Sequence, residues 1–164
     1  MTHRITLRTT VNSKGVTGWA YKYLGSGALA WKSSTQGLVS HSSTESELYA
    51  IDGAYRELRL QHRLLEDFAL PHTLPTILGQ DNLSTTTLIE GTHYNSRTRH
   101  LALRYHYCGS LQRAGILRVD YLPTAQMTAD VLTKGLSRDS HERHSRVLLG
   151  HDPIQWEKKE KSAP

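Results

Sequence analysis

Between Val39 and Phe68, Leu48, Ile51, Tyr55, Leu58, His62 and Leu65 recur at spacings of three and four. That period predicts an amphipathic helix from about Thr44 to Phe68. Upstream the pattern is shorter. Ile5–Val11 alternates weakly and reads as a strand; Thr17–Gly25 and Gly27–Ser34 are richer in aromatic residues and read as two more, with Gly25–Gly27 supplying the hairpin turn. Gly37–Ser42 reads as a short strand leading into the helix. Two prolines in Leu70–Pro75 end the helix. Thr76–Asp81 then reads as a strand, Asn82–Gly91 as a short helix, Ser96–Gly115 as a longer helix and Ile116–Pro123 as a strand. Thr124–Leu136 and Ser137–Gly150 read as two closing helices, and Glu157–Pro164 lacks apolar periodicity and reads as a loose tail. A strand–helix–strand order of this kind predicts an α/β domain, a mixed sheet with helices on its faces. The expected division is a domain over 1–150 and a charged tail over 151–164. Gly18 and Gly25 read as turn or bulge positions, and no phosphate-binding glycine pattern precedes a helix.

Length and charge sharpen the picture. A chain of 164 residues suits one domain with its own core. Its single cysteine, Cys108, excludes an internal disulfide framework and a cysteine-rich zinc site. No apolar run reaches the length of a membrane span, and the first residues carry no signal-peptide core. The net charge of +5 is unevenly placed: residues 1–44 contain Arg4, Arg8, Lys14, Lys22 and Lys32 and no Asp or Glu. Such a region either attracts nucleic acid or forms a solvated basic sheet edge.

Three acids stand at informative positions. Asp81 closes an apolar strand, where open sheets bind ligands, or it N-caps the following helix. Asp130 lies about a turn into an expected helix, where the helix dipole favours it. Glu47 fits a capping box with Thr44, but Ser42 and Glu45 fit one equally. If Ser42 or Ser43 is the cap, Glu47 is released toward the sheet. Carboxylates that converge without a cation repel each other, so convergence is either a metal site or a cost.

Four segments resemble a known family in order and spacing: "GSGALAWKSSTQGLVSHSSTESELYAI", "GQDNLSTTTLI", "SRTRHLALRYHY" and "DYLPTAQMTADVLTKGL". They resemble the ribonuclease H domain of Ty1/copia-type retrotransposon polyproteins, over roughly Val16 to Gly150. The resemblance implies a ribonuclease H-like fold, a five-stranded mixed sheet flanked by helices. It implies two-metal hydrolysis of the RNA strand of RNA–DNA hybrids. By position, Glu47, Asp81 and Asp130 match the family's catalytic, metal-binding acids. It also implies an intracellular setting, cytoplasm or virus-like particle, and a neighbouring reverse transcriptase region. The chain then reads as an excised polyprotein piece or a short frame derived from an element.

One departure matters. The family carries a further aspartate on its first strand, and residues 1–12, "MTHRITLRTTVN", contain no acid. Ala102 also stands where the family commonly has an aspartate. In the family the first-strand aspartate bridges two metals, so its loss implies Mg²⁺ (or Mn²⁺) held weakly, as one ion instead of two, and weakened or lost hydrolysis. Arg97, Arg99, His100, Arg104 and Asn82 are the expected nucleic-acid contacts; Leu101, Tyr105 and Cys108 packing inward beneath merely solvated arginines is the alternative. His141, His144 and His151 lack a cysteine partner and carboxylate geometry for zinc. The alternative function is a non-catalytic ribonuclease H fold reused to bind nucleic acid or a protein partner.

Overall fold

The computed structural model describes residues 6–11, 16–22, 27–35, 42–70, 72, 74–91 and 102–153, with side chains from residue 27 onward except those of Thr35 and Ala102. Strands β1 (Thr6–Val11), β2 (Val16–Lys22), β3 (Ala28–Thr35), β4 (Thr76–Gln80) and β5 (Leu117–Tyr121) hydrogen-bond in the order β3-β2-β1-β4-β5. β2 runs antiparallel to both β1 and β3, while β4 lies parallel to both β1 and β5. Parallel neighbours need long crossovers, and the helices supply them. Helix α1 (Ser43–Asp67) precedes β4; α2 (Leu83–Glu90) and α3 (Ala102–Arg113) join β4 to β5; α4 (Arg138–Leu149) closes the described chain.

The periodic stripe of α1 is its buried face. Leu48, Ile51, Leu58 and Leu65 pack in one core with Leu78 of β4, Leu117 and Val119 of β5, and Tyr105 and Cys108 of α3. Each large apolar side chain buried there contributes about 1.5–3 kcal/mol. Burial pushes the Cys108 thiol up to about 12, so it is an inert core group.

The two sheet faces are distinguished by strand alternation. On β4, Thr76 and Gln80 face α1: Thr76 Oγ1 lies 3.0 Å from His62 Nε2, and Gln80 meets Glu47. On β3, Ala30 packs against the core, whereas Ser33, of opposite parity, donates to the Leu132 carbonyl over 2.7 Å. The segment carrying Leu132 therefore covers the other face.

That segment corrects one expectation. Thr124–Leu136 is not a single helix but two short 3-10 turns, Thr124–Gln126 and Thr128–Leu132. Met127 between them has ψ 87°, outside the helical region, and so divides the run. Of the expected helix Ser96–Gly115, the described part begins at Ala102, and Gly115 ends it with φ 68°. Most of the expected strand Gly37–Ser42 lies outside the described residues. Gly150 terminates α4 in the left-handed region, and Arg146 reaches beyond it to Asp152 through two hydrogen bonds of 2.8 and 2.9 Å. The expected tail beyond residue 153 lies outside the described residues. No described helix is long and apolar enough to cross a membrane.

Candidate active site

Local capping decides where Glu47 goes. Ser42, in extended backbone, is the N-cap of α1, and its Oγ accepts from the Glu45 amide over 3.1 Å. Thr44 is thereby inside the helix and cannot cap it. Glu45 turns to the Tyr49 hydroxyl, 2.7 Å away, and this hydrogen bond to a carboxylate pushes the Tyr49 phenol up. Glu47 is left for the sheet. It is buried, and its Oε2 accepts from Gln80 Nε2 over 2.9 Å.

Gln80 is fully buried and works in both directions. Its Oε1 accepts from the Asn82 amide over 3.1 Å, fixing the chain where it leaves β4. Asn82, not Asp81, then N-caps α2, its Oδ1 accepting from the Thr85 amide over 3.2 Å. This corrects the capping reading of Asp81 and gives Asn82 a role within the fold.

Asp81 faces the segment that follows β5. Thr124 donates to its Oδ2 over 3.3 Å. Burial pushes its carboxyl up; the Lys134 ammonium opposes that, and the Asp130 carboxylate adds to it. Asp81, Asp130 and Lys134 thus sit within electrostatic reach of one another. Asp130 is buried in the second 3-10 turn. Its carbonyl accepts the amides of Thr133 and Lys134 over 3.0 and 2.9 Å, which wraps the chain tightly. Lys134 Nζ consequently returns to Asp130 Oδ2 at 3.0 Å. The other oxygen, Oδ1, is buried without a hydrogen-bond partner among the described residues.

The structure places Asp81 and Asp130 within electrostatic reach of each other. It does not bring Glu47 into a triad with them: among the described residues no group of three or more His, Cys, Asp or Glu is arranged to hold a metal ion. Glu47 accepts instead from the Gln80 amide, on the face of β4 that meets α1. Mg²⁺ is commonly held by about one or two protein carboxylates, with water completing its shell. The Oδ1 of Asp130, without a hydrogen-bond partner among the described residues, and the carboxylate of Asp81 within electrostatic reach suit one such ion.

Arg104 is partly exposed and makes two contacts within the chain. Its Nη1 donates to Asp52 Oδ2 over 3.1 Å and its guanidinium stacks 4.4 Å from the Tyr49 ring centroid. Arg97, Arg99 and His100 lie outside the described residues. Two residues escaped the sequence reading. Gln80 shares the parity of Thr76 and Leu78, so strand alternation marks it as inward; Lys134 stands four residues after Asp130, the spacing of a helical ion pair.

No protein-family model matches the chain. Among solved structures, LC11-RNase H1, isolated from compost by a metagenomic approach, superposes with a TM-score of 0.56 at 17% identity, covering 79% of this chain and 91% of that one. The same enzyme in complex with RNA/DNA hybrid gives 0.56 at 14% identity, covering 79% and 93%. The fold is ribonuclease H-like.

By sequence, the chain is 35% identical over 126 residues to the retrovirus-related Pol polyprotein from transposon RE2 of Arabidopsis thaliana, and 33% identical over 126 residues to that from RE1. It is 31% identical over 140 residues to the Pol polyprotein from transposon TNT 1-94 of Nicotiana tabacum. The matches cover 77–85% of this chain but only 9–10% of those polyproteins. The chain is a ribonuclease H-like domain homologous to the Pol polyproteins of copia-type retrotransposons.

Proposed function

We propose that this domain engages RNA–DNA hybrids and that its hydrolysis of the RNA strand is weak or lost. The observation that carries the reading is strand β1. It is the central strand of the five-stranded sheet, parallel to β4 with Arg8 beside Gly79, and its residues "TLRTTV" include no acid. Continuing that parallel pair, Thr9 and Thr10 accompany Gln80 and Asp81, where the family resemblance calls for an aspartate.

Asp81 and Asp130 are the residues that would hold Mg²⁺ or Mn²⁺, while Glu47 accepts from the Gln80 amide. When bound, such an ion neutralises phosphodiester charge and lowers the pKa of its water. Two ions about 3.5–4 Å apart need negative charge between them. With no acid along β1, the carboxylates suit one ion and leave the second unsupported. Arg97, Arg99 and His100 supply phosphate contacts. A hybrid is the proposed partner because the family acts on one and because LC11-RNase H1 is seen with one. In a polyprotein the domain would work beside a reverse transcriptase region.

The second reading, a non-catalytic fold kept for binding, is favoured by the Lys134–Asp130 ion pair, which neutralises a buried acid without metal. Fluorescence anisotropy with a labelled hybrid across a salt series tests the binding half. Affinity that falls steeply with salt supports nucleic-acid engagement. No affinity even at low salt overturns it and leaves a protein-binding role.

A further inference from the structure

We propose that Lys134 is a resident counter-cation of the Asp81–Asp130 rim and sets how tightly that rim takes a divalent metal ion. The proposal rests on reading Asp81 and Asp130 as cation ligands. Lys134 is placed there by the backbone: the Asp130 carbonyl accepts both following amides, and the chain turns so that Nζ meets Oδ2 at 3.0 Å. Asp130 is buried, and Lys134 is the charged partner that offsets its desolvation. The same ammonium lies within electrostatic reach of Asp81. One lysine therefore serves both acids.

A divalent ion reaching the buried Oδ1 of Asp130, which has no hydrogen-bond partner among the described residues, meets that charge at once. Ion and ammonium share one carboxylate, and two cations a few ångströms apart in a partly buried site repel strongly. Either Lys134 swings out to solvent, losing its ion pair, or the metal binds less tightly. In a chain with no acid on β1, no further negative charge from that strand offsets the repulsion. Lys134 stabilises the metal-free rim and weakens its hold on metal.

The test is Mn²⁺ binding to the full chain, without nucleic acid, followed by electron paramagnetic resonance of free Mn²⁺. Lys134→Met should tighten binding about tenfold, the lower end of what a ligand's neighbour changes. Lys134→Gln, which keeps a donor to Oδ2 without the charge, should tighten it similarly and provides the result if the methionine variant does not fold. Lys134→Arg should bind as the unaltered chain does. Added Mn²⁺ should raise the melting temperature of the uncharged variants more than that of the unaltered chain. If Asp130→Asn weakens Mn²⁺ binding while the uncharged Lys134 variants bind no tighter than the unaltered chain, the lysine proposal is overturned and the cation site stands. If Asp130→Asn leaves Mn²⁺ binding unchanged, the cation site itself falls, and the lysine proposal with it.

Discussion

Gln80 donates its side-chain amide to Oε2 of Glu47 across 2.9 Å, tying the end of strand β4 to the first turns of helix α1. A neutral amide facing a buried carboxylate is a charge-assisted hydrogen bond, worth about 1.5–3 kcal/mol. Gln80→Ala should lower unfolding free energy by at least that range, read from urea titrations. It should also release the Asn82 amide that Gln80 holds. A loss within the scatter of an ordinary surface substitution would contradict the role given to this pair.

The choice of cap separates two nearby residues. Ser42→Ala should destabilise the domain by about 1 kcal/mol, the usual cost of losing a side-chain cap. Thr44→Ala should cost far less, because Ser42 already accepts from the Glu45 amide. Equal losses in the two variants would return Glu47 to capping duty.

Asp81 gives a pH-dependent outcome. Burial raises its carboxyl above the ordinary value of 3.8, and Asp130 adds to the rise. Between the unfolded and the raised folded value, the folded state binds more protons than the unfolded one. Stability therefore falls as pH rises through that window and stays reduced above it. In the absence of divalent ions, Asp81→Asn should melt higher than the unaltered chain near neutral pH. The difference should shrink as pH is lowered through the carboxylate range. A variant that melts lower near neutral pH would show that Asp81 is held by structural partners, not strained beside Asp130.

Arg104 makes its contacts within the chain. It bonds Asp52 and covers the Tyr49 ring, while Arg56 bonds the same Asp52 oxygen at 2.9 Å. Arg104→Ala should cost about 1 kcal/mol of stability, since Asp52 keeps one partner. Hybrid affinity should be nearly unchanged once folding is matched. A drop in affinity with no loss of stability would make Arg104 a nucleic-acid contact instead.

Much of this was legible in the chain. The stripe from Leu48 to Leu65 gave α1 because a buried helical face repeats at 3.6 residues whatever it packs against. Cys108 and Tyr105 are buried, as the inward-packing reading of α3 expects. The caps were legible only as alternatives, since Ser42 and Thr44 both precede a glutamate by three, and Asp81 and Asn82 both can cap. Which one caps depends on backbone angles that sequence does not set locally. The 3-10 turns around Asp130 were missed because Ala, Met, Val and Leu are good helix-compatible residues there, and only the break at Met127 divides them. The Glu47–Gln80 bond joins residues 33 apart, a pairing that neither period contains.

If the proposed function holds, a chain without an acid on its central strand does not support efficient two-metal hydrolysis. Single-turnover cleavage of a labelled RNA strand within an RNA–DNA hybrid, in Mg²⁺ or Mn²⁺, tests it most directly. The account predicts little or no cleavage by the unaltered chain, and a gain when Thr9→Asp or Thr10→Asp restores a carboxylate to β1 beside β4. Brisk cleavage by the unaltered chain, abolished by Asp81→Asn, would contradict it.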